Sequence, residues 1–185
     1  MIYDSESGEF EPEPPEPQRD LTSRVVNAAL LNHRTFLDIK GDPTAMFQVY
    51  GLVVAASLAS AIGAIDNPGV AVVNALLTFV GWLVTVHVAW FLRSFIFDSI
   101  HVEASRPEMM RVIGIAYGPA LLRVFGIIPG IGGFIWAAAT IWMLVAIVVG
   151  MKATLGFTNY WPPIGILVVG ALLNAVISMI MFGIV

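Results

Sequence analysis

The stretch GVAVVNALLTFVGWLVTVHVAWFL, residues 69–92, decides the fold, because it contains no Asp, Glu, Lys or Arg. At 1.5 Å per residue, a helix of this length crosses the roughly 30 Å hydrocarbon core of a bilayer. Asp66, Asn67 and Pro68 precede the stretch, and these residue types cap a helix and occupy its first turn. The stretch therefore predicts a transmembrane helix.

Four further apolar segments are long enough to span the membrane, so that five spans of about 18–24 residues are predicted. The predicted spans cover residues 45–65, 69–92, 111–128, 132–151 and 162–185. The links between the first two spans and between the third and fourth are very short, so these pairs should form antiparallel hairpins. We expect an all-α integral membrane protein whose five-helix transmembrane domain covers residues 44–185.

The composition of the 185-residue chain also indicates a membrane protein. Of its residues 58% are hydrophobic and 12% are charged, and the mean hydropathy is +0.85. Soluble domains are roughly 45–50% apolar and 25% charged. This composition excludes an ordinary soluble enzyme, a disordered protein and a nucleic-acid-binding domain. The absence of cysteine excludes disulfides, zinc-thiolate sites and iron–sulfur clusters.

The first 43 residues differ from the rest of the chain. Residues 1–19 contain alternating Glu and Pro and lack a basic n-region, so we expect a disordered acidic Pro-rich tail and not a signal peptide. This tail is either a solubilising leader or a docking strip for a basic partner. Residues 20–43 contain one predicted amphipathic helix, with Arg24 on its polar face and Leu30 on its apolar face. We expect this helix to lie in the headgroup plane or against the bundle.

Basic residues alternate between the two sides of the predicted bundle. In chain order, the N-terminal region and the four links with their edges hold 4, 0, 3, 0 and 1 Lys or Arg, the C-terminus holds none, and Arg123 lies within the third segment. The positive-inside rule then predicts a cytoplasmic N-terminus and a C-terminus outside. Because the chain is compact and its fifth span runs to the last residue, we expect a prokaryotic plasma membrane.

Glycine and proline mark where the predicted helices should pack closely and bend. Small residues allow helices to approach one another in lipid, and Gly114 and Gly118 lie on one face of the third segment. Pro119 removes a backbone donor in the middle of this segment, which predicts a kink. Pro129 lies in the short turn that follows.

Polar side chains within predicted spans are functional candidates. We expect Arg123 to snorkel to the outer interface, with pairing inside the bundle as the alternative. We expect His87 to be buried and hydrogen-bonded; its alternative role as a proton relay or tetrapyrrole ligand makes it the one candidate cofactor-binding residue. Asn74 and Asn174 are expected near opposite membrane faces, each in an interhelical hydrogen bond.

Charged residues crowd the predicted cytoplasmic loop between the second and third spans. A salt-bridged, solvated loop is the simplest interpretation, and a surface that docks a partner protein is the functional one. The residues are Arg93, Asp98, His101, Glu103, Arg106, Glu108 and Arg111. His101 and Glu103, two residues apart, are too few ligands for a metal site, and no catalytic motif is present. No metal, cofactor or catalytic residue is therefore predicted.

A series of residues resembles the Yip-one (Ypt-interacting protein) domain family. The series is Arg111-Val-Ile-Gly-Ile-Ala-Tyr117-Gly-Pro119, then Ile128-Pro129-Gly-Ile-Gly132, then Trp142 and Gly150. That family shows a basic residue, an Ala-Tyr pair, a Pro, a short Ile-Pro-x-x-Gly turn, a Trp and a closing Gly in this order. The resemblance covers roughly residues 30–185. It implies five membrane helices and a cytoplasmic N-terminus, and it supplies no catalytic residues.

The resemblance also implies a class of function. Eukaryotic members are similar to adaptors for small Rab-type GTPases in vesicle traffic, and prokaryotic members have no settled biochemistry. We expect a non-enzymatic membrane adaptor or scaffold, such as an accessory subunit of a larger membrane complex. Its expected partners are membrane lipids and other membrane or cytoplasmic proteins, not nucleic acid, and a homo-oligomer is left open. The alternative is a small transporter, channel or lipid-moving protein, which the few polar residues in the spans disfavour.

Overall fold

The structure is a computed structural model of the chain that describes residues 2–3, 10–11, 20–96 and 104–183. Its helices are α1 (Leu21–Ala29), α2 (His33–Gly41), α3 (Ala45–Ile62), α4 (Pro68–Ile96), α5 (Arg106–Ile115), a 3₁₀ helix (Gly118–Ile127), α6 (Gly132–Leu155) and α7 (Trp161–Phe182). Strands β1 (Ile2–Tyr3) and β2 (Phe10–Glu11) form a short antiparallel pair. The rest of the predicted tail, residues 1–19, lies outside the described residues.

Four helices, α3, α4, α6 and α7, are long and apolar enough to cross a membrane. Helix α5 and the 3₁₀ helix meet the same criterion only when they are taken together, and they are bent by 42° at the short break between them. The chain is therefore an almost entirely helical, multi-pass membrane protein with four spans, or five if the bent pair is one span. The predicted fold class is confirmed at this level.

The predicted third span, 111–128, is two short helices and not one kinked α-helix. Helix α5 ends at Ile115, and the chain continues from Gly118 as a 3₁₀ helix. Pro119 lies in the first turn of this helix. An α-helix that ran through Pro119 would bring its ring against the carbonyl of Ile115 and would lose a hydrogen bond. The chain therefore leaves the α conformation at Ile115.

The predicted single helix of residues 20–40 is also two helices. Leu31, between α1 and α2, has a φ of 61°, in the left-handed region that non-glycine residues seldom adopt. The side chain of Asn32 accepts a hydrogen bond of 3.0 Å from the backbone N–H of Arg34 and thereby caps α2. Asparagine favours such caps over helix interiors because its side chain competes for nearby backbone groups. The expectation of one helix is therefore wrong.

The two N-terminal helices cover one side of the bundle. Phe36 and Ile39 of α2 are fully buried in the core, whereas Leu30 and Leu37 are exposed. The ring of Phe36 packs against Gly150 of α6, where a Cβ would lie 3.1 Å from its Cδ1. One apolar face therefore contacts the bundle, and another is free to contact lipid.

Hydrogen bonds fasten α2 to the neighbouring spans. Arg111 of α5 is buried and donates to the carbonyl oxygens of Ile39, at 3.1 Å, and Lys40. The ammonium group of Lys40 donates to the carbonyl of Thr154 at 3.1 Å. The C-terminal carbonyls of a helix lack intrahelical partners, and basic side chains stabilise them. Arg111 therefore caps α2 and is not a free docking residue, which corrects one of the sequence-based expectations.

An ion pair joins α1 to the turn before α3. The guanidinium of Arg24 donates to the carboxylate of Asp42 at 2.5 Å and to the side-chain oxygen of Gln48 at 3.1 Å. The hydroxyl of Thr44 also donates to Asp42 at 2.5 Å. The pKa of Asp42 lies below its ordinary value of 3.8, chiefly because Thr44 donates to the carboxylate; partial burial opposes this shift, and Arg24 adds to it. The folded state therefore favours the ionised carboxylate.

We expect Asp42→Asn to lower the free energy of unfolding by about 1–3 kcal/mol at neutral pH, because buried Arg24 loses its counter-charge. A lowered pKa in the folded state stabilises the protein above the unfolded value of 3.8 and stops doing so as the pH falls through the folded value. Wild type and variant should therefore converge below pH 3.8. Thermal unfolding in detergent between neutral and acidic pH measures this, with exposed Asp66→Asn as the control. A difference in stability between wild type and Asp42→Asn that does not depend on pH would contradict an ionised Asp42 paired with Arg24.

Close packing of α3, α4 and α5 depends on Gly114. A Cβ at this position would lie 2.2 Å from Cγ1 of Val49 and 3.1 Å from Nε1 of Trp82. The indole of Trp82 is fully buried and donates to the carbonyl of Met110 at 3.3 Å. The second predicted packing glycine, Gly118, lies against α1, since its Cβ would approach the side chain of Val25 to 2.8 Å.

We expect Gly114→Ala to lower the free energy of unfolding by about 1–3 kcal/mol, because the methyl group overlaps Val49. Gly51→Ala is the matched control, since Gly51 is also helical and a Cβ added there would meet no atom within 4 Å. Alanine should raise helix stability there by up to about 1 kcal/mol. Thermal unfolding in one detergent compares the two variants. Equal midpoints would mean that α5 does not pack at Gly114.

Candidate functional site

A cavity of about 520 Å³ lies between α4, α6 and α7, with the junction of α5 and the 3₁₀ helix at its base. This volume falls within the range of small-molecule sites. Its polar lining residues are Asn74, Thr78, Thr85, Tyr117, Arg123, Trp136, Thr140, Asn174 and Ser178. Four helices and the link that holds Tyr117 therefore bring polar groups together within a part of the chain that is otherwise apolar.

The most unusual group in the lining is Arg123, whose side chain points into the bundle. Only 5% of the residue is exposed. Its Nη1 lies 3.3 Å from the hydroxyl oxygens of both Ser60 and Thr78. The carbon of the guanidinium lies 4.9 Å from the centroid of the Trp136 ring, which is a cation–π contact. The expectation that Arg123 snorkels to the interface is therefore wrong.

The charge of Arg123 has no counter-charge in the described part of the chain. The ion pair found there joins Arg24 and Asp42, and Arg123 contacts only neutral groups. Its Nη2 lies 3.7 Å from the sulfur of Met143, a weak acceptor, and its Nε has no partner. Because a guanidinium stays protonated in proteins, the site holds a net positive charge.

The hydroxyl groups around the cavity act as acceptors. Ser60, Thr85 and Thr140 each donate to the carbonyl oxygen four residues earlier on the same helix, at 2.8–2.9 Å, and the hydroxyl of Thr78 donates to the carbonyl of Asn74 at 2.8 Å or to the hydroxyl of Ser60 at 3.0 Å. A hydroxyl has one proton and two lone pairs, so only the lone pairs remain for other partners. Ser60 and Thr78 direct a lone pair at the guanidinium of Arg123. The guanidinium is thus the strongest hydrogen-bond donor of the site.

Asn74 and Asn174 both line this cavity, so the expectation that they lie near opposite membrane faces is wrong. Helices α4 and α7 run antiparallel, because Gly81 approaches Asn174 while Thr85 approaches Gly170. Asn74, near the start of α4, and Asn174, in the second half of α7, then lie towards the same end of the cavity. A Cβ at Gly81 would lie 2.6 Å from the amide nitrogen of Asn174, and the buried amide oxygen of Asn174 has no partner.

Several of these residues were not predicted from the sequence to line a site. They are Thr78, Thr85, Tyr117, Trp136, Thr140 and Ser178. Single hydroxyl residues are common in spans, where they bond to their own helix, so no local signal separates those that face a cavity. Arg123 was the detectable signal, because a charge within a span requires polar neighbours.

His87 is exposed, which corrects the expectation of a buried histidine. Its Nδ1 lies 2.6 Å from the carbonyl oxygen of Leu83, and its Nε2 contacts the guanidinium of Arg106. Since Arg106 can only donate, Nε2 accepts, and Nδ1–H donates to Leu83. Both ring nitrogens are engaged, and the residue lies apart from the cavity lining.

Of the candidate docking residues of the loop, the structure describes Arg93, Arg106, Glu108 and Arg111. Asp98, His101 and Glu103 lie outside the described residues. Arg93 is partly buried, and the carboxylate of Glu108 accepts a hydrogen bond of 2.8 Å from the backbone of Ser105. Among the described residues, no group of three His, Asp or Glu side chains could hold a metal ion.

Comparisons with protein-family models, with curated proteins and with solved structures find no match to this chain. The cavity around Arg123 is therefore the feature from which its function is inferred.

We expect Thr78→Val to lower the free energy of unfolding by about 1–3 kcal/mol, because valine preserves the shape but removes an acceptor of buried Arg123. Thr140→Val is the matched control, since Thr140 lines the same cavity and its hydroxyl bonds only to its own helix. Thermal unfolding in detergent should show the larger loss for Thr78→Val. Equal losses would mean that Arg123 does not depend on Thr78.

Proposed function

We propose that this chain is a non-enzymatic transport or lipid-moving protein that binds a small molecule in the cavity between α4, α6 and α7. The observation that carries the proposal is a cavity of about 520 Å³ that gathers polar groups among membrane-spanning helices. Isolated polar groups are expensive in a bilayer, and those present usually mark a pathway or a binding site. Of the two function classes that the sequence left open, this cavity favours transport.

Helix α7 is the wall that moves to admit the ligand. Only 11% of the apolar 18-residue stretch of α7 is buried inside the protein, against 33–44% of the corresponding stretches in the other three spanning helices. Ala171 and Ala175 of α7 line the cavity, so small side chains face it. Because α7 packs mainly against α4 and buries little of its surface, its displacement disturbs little packing elsewhere.

The proposed orientation follows the charge pattern of the sequence. We propose five spans, with the bent pair of α5 and the 3₁₀ helix as the third, a cytoplasmic N-terminus and a C-terminus outside, in a prokaryotic plasma membrane. The adaptor hypothesis and the resemblance to the Yip-one family remain predictions. Much of the loop that supported a docking surface lies outside the described residues, and its Arg111 is buried.

Single cysteines test whether the cavity is open to water, and the chain has no cysteine of its own. We expect Ala175→Cys and Ser178→Cys to react with a charged, membrane-impermeant thiol reagent in liposomes. Val176→Cys is the matched control, because Val176 is 55% exposed on α7 but does not line the cavity. The two cavity positions should react at least about tenfold faster, since thiolate formation requires water. Equal rates at all three positions would contradict a water-filled cavity.

A further inference from the structure

One edge of the Arg123 guanidinium is left without a strong partner. Nη1 is engaged by two hydroxyl oxygens, whereas Nε has no partner and Nη2 has only the sulfur of Met143 at 3.7 Å. The Nε–Nη2 edge presents two parallel N–H groups, which is the arrangement that binds a phosphate or carboxylate through two hydrogen bonds. The weakly held sulfur of Met143 is the group that an anion displaces.

The charge of the site also points to an anion. A buried guanidinium with only neutral partners is incompletely compensated, and an anion in the cavity compensates it. The hydroxyl groups of Ser60 and Thr78 cannot do this, since they accept hydrogen bonds from the guanidinium but carry no charge. Trp136 stabilises the cation through its ring but, as a neutral group, does not compensate the charge.

Polar and apolar side chains occur along the whole cavity, since Leu77 and Phe182 lie at the end that holds most of the polar groups, and Thr85 and Tyr117 lie at the other. Asn74, Thr78, Asn174 and Ser178 lie at the end formed by the start of α4 and the last turns of α7. Towards the other end, the lining includes Leu144, Ile147 and Leu167. A ligand that matches both kinds of side chain carries a charged group on a hydrocarbon chain.

We propose that the cavity binds an anionic amphiphile whose phosphate group pairs with the Nε–Nη2 edge of Arg123 and whose hydrocarbon chain lies against Leu144, Ile147 and Leu167. This inference rests on the proposed function and names its ligand class. The source of the phosphate is the headgroup of a membrane lipid. A free phosphate ion shares the same chemistry, and the experiment separates the two sources.

The experiment measures binding to delipidated protein in mild detergent by native mass spectrometry and by the shift of the unfolding midpoint. The probes are phosphatidylglycerol, diacylglycerol with the same chains, and inorganic phosphate. We expect phosphatidylglycerol to bind at least about tenfold more tightly than diacylglycerol, because only the former offers charge-assisted hydrogen bonds. Arg123→Gln should remove this preference, and Arg123→Lys should retain part of it. Arg34→Gln, at an exposed arginine of α2, should leave the preference unchanged.

A variant with a blocked cavity keeps the test decisive if Arg123→Gln does not fold. Ala175→Trp fills the cavity from α7 and should abolish phosphatidylglycerol binding, whereas Val176→Trp, outside the lining, should not. Diacylglycerol that binds as tightly as phosphatidylglycerol would overturn the inference. Inorganic phosphate that binds as tightly as the lipid would overturn the lipid source.

These outcomes differ from a failure of the proposed function. If the cavity cysteines react with the thiol reagent but no preference for phosphatidylglycerol is found, the open cavity is supported and its ligand is not an anionic lipid. If Ala175→Cys and Ser178→Cys do not react, the open cavity itself is absent, and the inference is overturned together with the proposed function.

Discussion

A charged guanidinium inside an apolar helix bundle must find its partners within that bundle, and Arg123 imposes this requirement on the structure. Its partners come from different helices: Ser60 from α3, Thr78 from α4 and Trp136 from α6. The hydroxyls of Ser60 and Thr78 lie 3.0 Å from each other, and each offers a lone pair to the guanidinium. The relative positions of these helices are therefore tied to one side chain.

The backbone that carries Arg123 is held by close contact with the end of α3. A Cβ at Gly63 would lie 2.1 Å from the carbonyl oxygen of Arg123, and one at Gly126 would lie 2.8 Å from the carbonyl oxygen of Gly63. Only glycine at both positions allows the two backbones to touch in this way. The 3₁₀ helix is thereby placed so that the guanidinium reaches Thr78 and Trp136 on the far side.

The sequence was sufficient to predict the helical spans, because their signal is local. Hydropathy and length identified the segments that became α3, α4, α6 and α7, within a few residues at each end. The two breaks were harder to predict. Leu31 was the one large apolar residue on the polar face of the predicted N-terminal helix, and Gly118-Pro119 marked the third segment. Whether such residues end a helix or only bend it depends on tertiary contacts, which sequence periodicity does not contain.

The cavity could not be predicted, because it depends on which helices become neighbours. A 3₁₀ helix turns 120° per residue and an α-helix turns 100°, so the face on which Arg123 lies changes with the helix type. The antiparallel packing of α4 and α7 then brings Asn74 and Asn174 to the same end. Hydroxyl groups that look ordinary within each span acquire a role only when Arg123 lies beside them.

The most direct measurement is the structure of the protein in lipid nanodiscs that contain phosphatidylglycerol, determined by electron cryomicroscopy. We expect the guanidinium of Arg123 to lie between α3, α4 and α6, with phosphate density at its Nε–Nη2 edge and acyl-chain density beside Leu144 and Leu167. An Arg123 side chain that extends to the membrane surface, away from Ser60 and Thr78, would contradict this arrangement and the ligand inferred from it.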